Sequence, residues 1–154
     1  MGRAMVSYRK ACAIGFAIGV LVGLVTPVAL AGTASSSWKS YGPVLGYPYR
    51  NRAFVVTSSG VGAWAYSEVE TTDGRNAPAG YMGVMENLYN GSGNLMKTRG
   101  WSYTPDASQG YFVPTTPPVT NHGNYYSKGQ SRAWNGSSYN TYNTNQSPNQ
   151  SYQG

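Results

Sequence analysis

The chain has 154 residues, a formal net charge of +6 and a single cysteine. Its eleven lysines and arginines are scattered along the sequence, which argues against a nucleic-acid-binding protein. One cysteine excludes an intramolecular disulfide framework and a cysteine-based zinc site.

The first 31 residues have the pattern of a secretory signal peptide. A basic segment ending at Lys10 precedes an apolar run, residues 11–25, and the A-x-A cleavage site Ala29-Leu30-Ala31. A membrane anchor is the alternative, but the run is shorter than the roughly 20 residues that a span needs. We therefore expect cleavage after Ala31, secretion to the cell surface or medium, and no stable membrane span in the mature chain.

Cleavage would remove Cys12 and three of the eleven basic residues, which leaves eight basic residues against five acidic ones. A fold without cysteine must rely on its core alone, and residues 32–154 are enough for one domain. We interpret the mild positive charge as an ordinary solvated surface, with attraction to an anionic cell envelope as the alternative.

Residues 32–52 have the composition of a leader, that is, a flexible or extended segment that precedes the folded domain. Residues 32–37 (GTASSS) are small and predict a flexible segment. Residues 38–52 combine aromatic residues with two prolines and predict an extended segment lying on the domain. We expect one β domain over residues 53–145 and a polar C-terminal tail over residues 146–154.

Two strands are predicted at the start of this domain, over residues 53–58 and 61–72. Side chains in the second strand alternate, and one face is small, so bulky residues should pack over it. The small face consists of Val61, Ala63, Ala65, Ser67 and Val69, and the opposite face consists of Trp64, Tyr66, Glu68 and Glu70.

The strongest hairpin signal is Asn90-Gly91, because Asn and Gly tolerate the backbone angles of tight turns. It joins predicted strands at residues 80–89 and 94–103. Glu86 interrupts the apolar face of the first strand, which predicts either a bulge at the turn or a position near a sheet edge.

A second Asn-Gly-Ser turn at Asn135 predicts another hairpin in the same sheet system, with strands at residues 124–134 and 138–144. A short strand is predicted at residues 111–113. Residues 32–154 show no helical period. The sequence therefore predicts an all-β fold, a small antiparallel β-sandwich or barrel of about six to eight short strands.

Residues with catalytic or metal-binding chemistry are few. His122 lacks a nucleophile-elbow motif and is expected to be an exposed turn residue. In a strand, Glu68 and Glu70 would point the same way with their Cα atoms about 7 Å apart, a separation within the range of a glycosidase carboxylate pair. Two acids on a solvent-exposed face of the strand are the alternative. Asp73 could join them around calcium, but no ligand-loop motif is present. We expect no enzyme, no catalytic residues, no metal and no cofactor.

The chain has fourteen tyrosines and four tryptophans, and in residues 121–154 such rings supply the apolar mass. Flat rings stack on sugars or anchor protein interfaces at low entropic cost, and they also fill cores. Because aliphatic residues are few, we expect more of the rings in the core than in a site. The candidates for ligand or partner contact are Tyr47, Tyr49, Tyr139 and Tyr142.

Two groups of turn and tyrosine positions form a wider pattern. The first consists of Gly80-Tyr81-Met82-Gly83, Leu88-Tyr89, Ser92-Gly93, Leu95 and Trp101; the second consists of Gly123, Tyr125-Tyr126-Ser127, Gly129, Asn135-Gly136, Tyr139 to Tyr142 and Ser147-Pro148-Asn149. Over about residues 79–152 the chain resembles small secreted proteins of actinomycete-type bacteria, mostly without assigned function. The resemblance implies export and a small β fold, and it transfers no catalytic residues.

These patterns favour a secreted, non-enzymatic β protein that acts by surface contact. It would act at the cell envelope or as a subunit of a secreted assembly, including an antagonistic, bacteriocin-like one. The alternative is a carbohydrate-binding module that uses a platform of tyrosine and tryptophan rings. The expected partner is a secreted protein or a cell-wall polysaccharide, and not a nucleic acid.

The signal peptide gives a first testable prediction. N-terminal sequencing of the protein from culture medium should begin at Gly32. Replacing Ala31 by Phe should retain the precursor, because the cleavage site requires small residues. A secreted product that still begins near Met1 would contradict this prediction.

Overall fold

Residues 32–112 and 115–154, which the computed structural model describes, form eleven β-strands. No helix capable of spanning a membrane occurs in these residues. The predicted signal peptide with Cys12 and its cleavage site lies outside the described residues, as does Val113 of the predicted short strand.

The strands follow the chain in order. They are β1 Gly32–Ser35, β2 Lys39–Val44, β3 Tyr47–Ser58, β4 Gly62–Thr71, β5 Met82–Asn90, β6 Leu95–Tyr103, β7 Gly110–Phe112, β8 Gly123–Ser127, β9 Gln130–Trp134, β10 Tyr139–Asn143 and β11 Gln150–Tyr152.

The first sheet is built around β3 and β4, which pair antiparallel along their whole length. β7 pairs with the far side of β4. β1 and β2 share the other side of β3: β1 covers its second half and β2 its first half. The sheet therefore has four strand positions, one of which is divided between two short strands.

The second sheet is built around β5. β6 pairs with one side of it, and β8 and β9 pair with the other side in a single register, as one strand interrupted between Ser127 and Gln130. β10 and β11 complete the sheet by pairing with β9 and β8. This sheet also has four positions, so the eleven strands correspond to eight positions in total.

The two antiparallel sheets pack face to face as a small β-sandwich, which confirms the predicted fold class. The Ser67 hydroxyl donates to the Met85 carbonyl across the interface at 3.4 Å, so β4 lies directly against β5. Apolar side chains from both sheets fill the core: Val55, Ala63, Ala65, Val69, Met82, Val84, Leu88, Tyr125 and Ala133 are among those that are buried.

The inner face of β4 is the small face that the alternation predicted. Ala63, Ala65 and Ser67 are fully buried. Val61 does not belong to this face, because it lies in the turn before β4 and is 49% exposed. On the opposing sheet, a Cβ at Gly129 would overlap the Ser67 hydroxyl and lie 2.7 Å from the Met85 carbonyl oxygen. The sheets therefore approach each other closely here.

Both Asn-Gly hairpins are present, and both lie in the second sheet as predicted. The Asn90 side-chain oxygen accepts from the amides of Ser92 at 3.1 Å and Asn94 at 2.9 Å. The Asn135 oxygen accepts in the same way from Ser137 and Ser138. Each asparagine thus closes its own turn, as expected for this residue type.

The segment expected to be a leader belongs to the sandwich instead. Residues 32–52 form β1, β2 and the first part of β3. The β2–β3 hairpin turns at Leu45 and Gly46, both with positive φ, and Leu45 gives no sequence signal for this conformation. The C-terminal tail also packs, because β11 pairs with β8 and Tyr152 is buried.

Glu86 lies on the inner face of β5, fully buried, and neither carboxylate oxygen has a hydrogen-bond partner. The predicted bulge is present, since the β5–β6 register shifts between Val84 and Glu86 and again near the turn. The edge alternative is wrong, because β5 has partners on both sides. Burial raises the pKa of Glu86 to about 7, and the charge of Arg99 partly opposes this rise.

Replacing Glu86 by Gln should remove a pH dependence of stability. Between about pH 4.5 and 7 the native state keeps a proton that the unfolded chain releases, so stability falls as pH rises through this window. The full penalty above that window is roughly 3 kcal/mol. Urea unfolding at pH 5 and pH 8 should show the fall in the wild type and little of it in the Gln variant.

The exposed loop residue Asp106, changed to Asn, is the matched control and should follow the wild type. A wild-type protein equally stable at both pH values would contradict the assignment. An equal fall in the Glu86→Gln variant would also contradict it.

Candidate functional site

Side chains that point outward from the second sheet form one continuous surface. Burial alternates along β5, β8 and β9, and the pairing places Tyr103, Gly83, Arg132 and Thr141 side by side across four strands. We call this surface the aromatic face. Its members are Met85, Asn87, Tyr89, Trp101, Tyr103, Tyr126, Lys128, Gln130, Arg132, Trp134, Tyr139, Thr141 and Asn143.

At one end of the aromatic face, the surrounding side chains are grouped around Arg132. Its guanidinium carbon lies 3.9 Å from the centroid of the Trp101 ring, a cation–π distance. Nη1 donates to the Tyr103 hydroxyl at 2.7 Å, and Nε donates to Thr141 Oγ1 at 3.3 Å. The guanidinium is therefore held in one orientation by three strands.

Gly83 makes this arrangement possible. A Cβ at position 83 would lie 2.7 Å from two carbons of the Tyr103 ring, so the ring occupies the space above the glycine. From there the Tyr103 ring reaches the Tyr139 ring at 4.8 Å, and Tyr139 packs on Trp134 at 5.1 Å. Burial raises the pKa of Tyr139, and its hydroxyl donates to the Gly80 carbonyl at 2.8 Å.

The other end of the aromatic face carries a pair of stacked tyrosines. The rings of Tyr89 and Tyr126 are 5.2 Å apart and inclined by 9°, and Lys128 Nζ lies 5.8 Å from the Tyr126 ring. Between the two ends lies a shallow groove of about 430 Å³ that includes Tyr89 and Lys128. Its lining also carries side-chain amides, and Gln130 donates to Asn143 there at 2.8 Å.

The outer face of the first sheet is organised differently. The Trp38 ring contacts the guanidinium groups of both Arg50 and Arg52, at 4.4 and 4.1 Å. Arg50 donates to Glu70 at 2.6 Å and Arg52 to Glu68 at 2.8 Å. The two acids considered as a glycosidase pair thus share one face, as predicted, and each is bound to an arginine.

Three of the four candidate contact tyrosines belong to one cluster: Tyr49 lies in it, and Tyr47 and Tyr142 pack against it. Tyr49 is fully buried, burial raises its pKa to about 12, and its hydroxyl has no hydrogen-bond partner. Tyr142 stacks on Tyr41 at 3.8 Å, where β10 meets β2. Tyr47 packs edge-on against Tyr81. Only Tyr139 lies on the aromatic face.

Sequence reasoning missed Trp101, Tyr103 and Arg132. A local signal existed for Arg132, because Gln130, Arg132 and Trp134 alternate outward along one predicted strand. The signal for Trp101 and Tyr103 was weaker, because a bulge in β6 changes which residues face β9 across β5.

The other residues considered for catalysis or metal binding lie apart from one another. His122 is exposed, and its ring lies 6.0 Å from the Tyr152 ring. Asp73 accepts from Arg75 Nε at 2.7 Å, and this hydrogen bond lowers the pKa of Asp73. Within the part of the chain that the structure describes, no three potential metal ligands come together.

Comparison of the chain with protein-family models, with curated proteins and with solved structures gave no match.

Replacing Gly83 by Ala should disrupt the Arg132 end of the aromatic face. The new methyl group must displace the Tyr103 ring, which breaks the hydrogen bond to Arg132 at a cost of about 1–3 kcal/mol. Urea unfolding measures the loss of stability, and near-UV circular dichroism measures the displacement of the Tyr103 ring. Gly100→Ala is the matched control, because a Cβ there meets nothing within 4 Å. Indistinguishable spectra and stabilities for the two variants would refute this role of Gly83.

Proposed function

We propose that the protein is a secreted, non-enzymatic β-sandwich that acts by surface contact through its aromatic face. It would act at the cell envelope or as a subunit of a secreted assembly, including an antagonistic one. The observation that carries this proposal is the continuous row of rings, amides and cations on one sheet, which runs about 20 Å from residue 83 to residue 89 of β5.

The rings on this face are suited to contact because they are partly exposed and already ordered. Trp101, Tyr103 and Tyr139 lie on strands and pack on one another or on Arg132. A ligand that binds them therefore costs little further side-chain entropy. Tryptophan, tyrosine and arginine are also the residue types that most often dominate binding energy at interfaces.

The outer face of the first sheet is a weaker candidate for a binding surface, because its charged and aromatic side chains already contact one another. Trp38 is contacted by two guanidinium groups, and Arg50 and Arg52 are paired with glutamates. A partner would have to break these contacts before it could form its own. In the groove of the aromatic face the amides of Gln130 and Asn143 also bond to each other, but this is a hydrogen bond between neutral groups and is weaker than an ion pair.

Carbohydrate binding on the same face is the second candidate function. It is favoured by the groove, where the amides of Asn87, Gln130 and Asn143 lie between two groups of rings. Amides bind hydroxyl groups and flat rings pack against sugar faces, so this combination suits a glycan.

The test is retention of partners on the immobilised protein, from the producer's culture filtrate and from its envelope fraction. Trp101→Ala should reduce the capture affinity at least tenfold, since a central aromatic anchor contributes about 2 kcal/mol or more. Trp64→Ala is the matched control, a half-buried outward tryptophan on the first sheet. It should bind as the wild type does.

Three outcomes are informative. A stoichiometric protein partner would support the assembly role, and retention by wall polysaccharide alone would support the carbohydrate role. Loss of binding in Trp64→Ala with full binding in Trp101→Ala would refute the choice of face.

A further inference from the structure

The charges of the protein are divided unevenly between its two sheets. Most of the charge on the first sheet and on the turn after β4 is neutralised within that region, because three arginines there each form an ion pair with an acidic residue. The pairs are Arg50–Glu70, Arg52–Glu68 and Arg75–Asp73. These are the ion pairs found among residues 32–112 and 115–154.

The second sheet has no such balance. Four basic residues belong to it: Lys97, Arg99 and Arg132 lie in its strands, and Lys128 lies in the interruption between β8 and β9. Its one acid, Glu86, points into the core and away from the aromatic face. The remaining acid, Asp106, lies in the exposed loop between β6 and β7. Apart from Lys39, the basic side chains of the described residues that form no ion pair therefore all belong to the second sheet.

Two of these cations lie on the aromatic face itself. Lys128 and Arg132 are four residues apart on the same outward row, about 13 Å at roughly 3.3 Å per residue. Lys128 is exposed beside Tyr126, and Arg132 is held by Trp101, Tyr103 and Thr141. Neither has a carboxylate partner in the described part of the chain. Lys128 lines the amide groove, and Gln130 of the same groove lies between Lys128 and Arg132 along the chain.

We propose that the aromatic face binds an acidic linear glycan, laid along β5, whose anionic groups are bound by Lys128 and Arg132. This inference rests on the proposed function and specifies the class of its ligand. The shared chemistry is a polyhydroxylated chain with regularly spaced carboxylate or phosphate groups. Arg132 is fixed in orientation, which favours anion binding because its donors need no reordering.

An acidic peptide fits these observations less well. An extended peptide binds a sheet by adding a strand to its edge, where backbone groups are free. The aromatic face is instead the broad surface of the sheet rather than its edge, and the groove is lined by the amides of Asn87, Gln130 and Asn143 as well as by Met85 and Tyr89, unlike the apolar pocket that anchors a side chain.

Calorimetric titration of the purified full protein with matched polymers tests the proposal. Polygalacturonate carries carboxylates, its fully methyl-esterified form has the same backbone without charge, and a polyol-phosphate wall polymer carries phosphates. We expect binding to one or both anionic polymers and at least tenfold weaker binding to the ester. Raising the salt concentration should weaken the anionic interaction, because ions screen exposed charges.

Lys128→Gln should weaken binding about two- to fivefold, the scale of one exposed charge contact. Lys39→Gln is the matched control: it removes the same charge from an exposed lysine on the first sheet and should bind like the wild type. Both lysines are exposed, so the variants are expected to fold, and equal thermal unfolding verifies this. Equal affinities of the two variants would overturn the placement of the ligand on this face.

The remaining outcomes separate this inference from the function on which it rests. Equal binding to polygalacturonate and to its ester would overturn the role of charge but leave glycan contact in place. Binding to no polymer, together with Trp101-dependent capture of a protein, would overturn the glycan ligand and leave surface contact. Binding to no polymer and no partner would overturn both.

Discussion

The close approach of the two sheets at Ser67, Met85 and Gly129 is the constraint on which the rest of the structure depends. A single added methyl group at Gly129 would overlap the Ser67 hydroxyl. The inner faces around this point consist largely of alanine, serine and glycine, and large rings do not fit between them. Most tyrosines and tryptophans therefore lie at the sides of the sandwich or on its outer faces, although three tyrosines are buried: Tyr49, Tyr125 and Tyr152.

A thin core also explains why the interior is polar. Side-chain atoms of Asn51, Thr57, Glu86 and Ser127 are buried without a hydrogen-bond partner, and each such group reduces stability. Ring stacking outside the core supplies compensating contacts, as in the Phe54–Tyr66 pair at 4.2 Å. The same rings create the surface that we propose for binding, so the packing of the core and the composition of the site have one cause.

The sequence predicted what local signals determine. Asn90 and Asn135 specify their turns through their own side chains, and the alternation of β4 follows from burial of one face. Contacts between distant segments could not be predicted. Trp101 and Arg132 meet only because both flank β5, with space provided by Gly83. Tyr49, a predicted contact residue, lies on the side of β3 that faces the core. The resemblance to actinomycete-type secreted proteins stays a prediction.

The central claim is that the aromatic rings on the outer face of the second sheet form the contact surface. Its most direct test is oxidative footprinting of aromatic side chains, with and without the producer's envelope fraction. We expect protection of Trp101, Tyr103 and Tyr126, and unchanged oxidation of Trp64 and Tyr66 on the first sheet. Protection of the first sheet with unchanged oxidation of the second would contradict it.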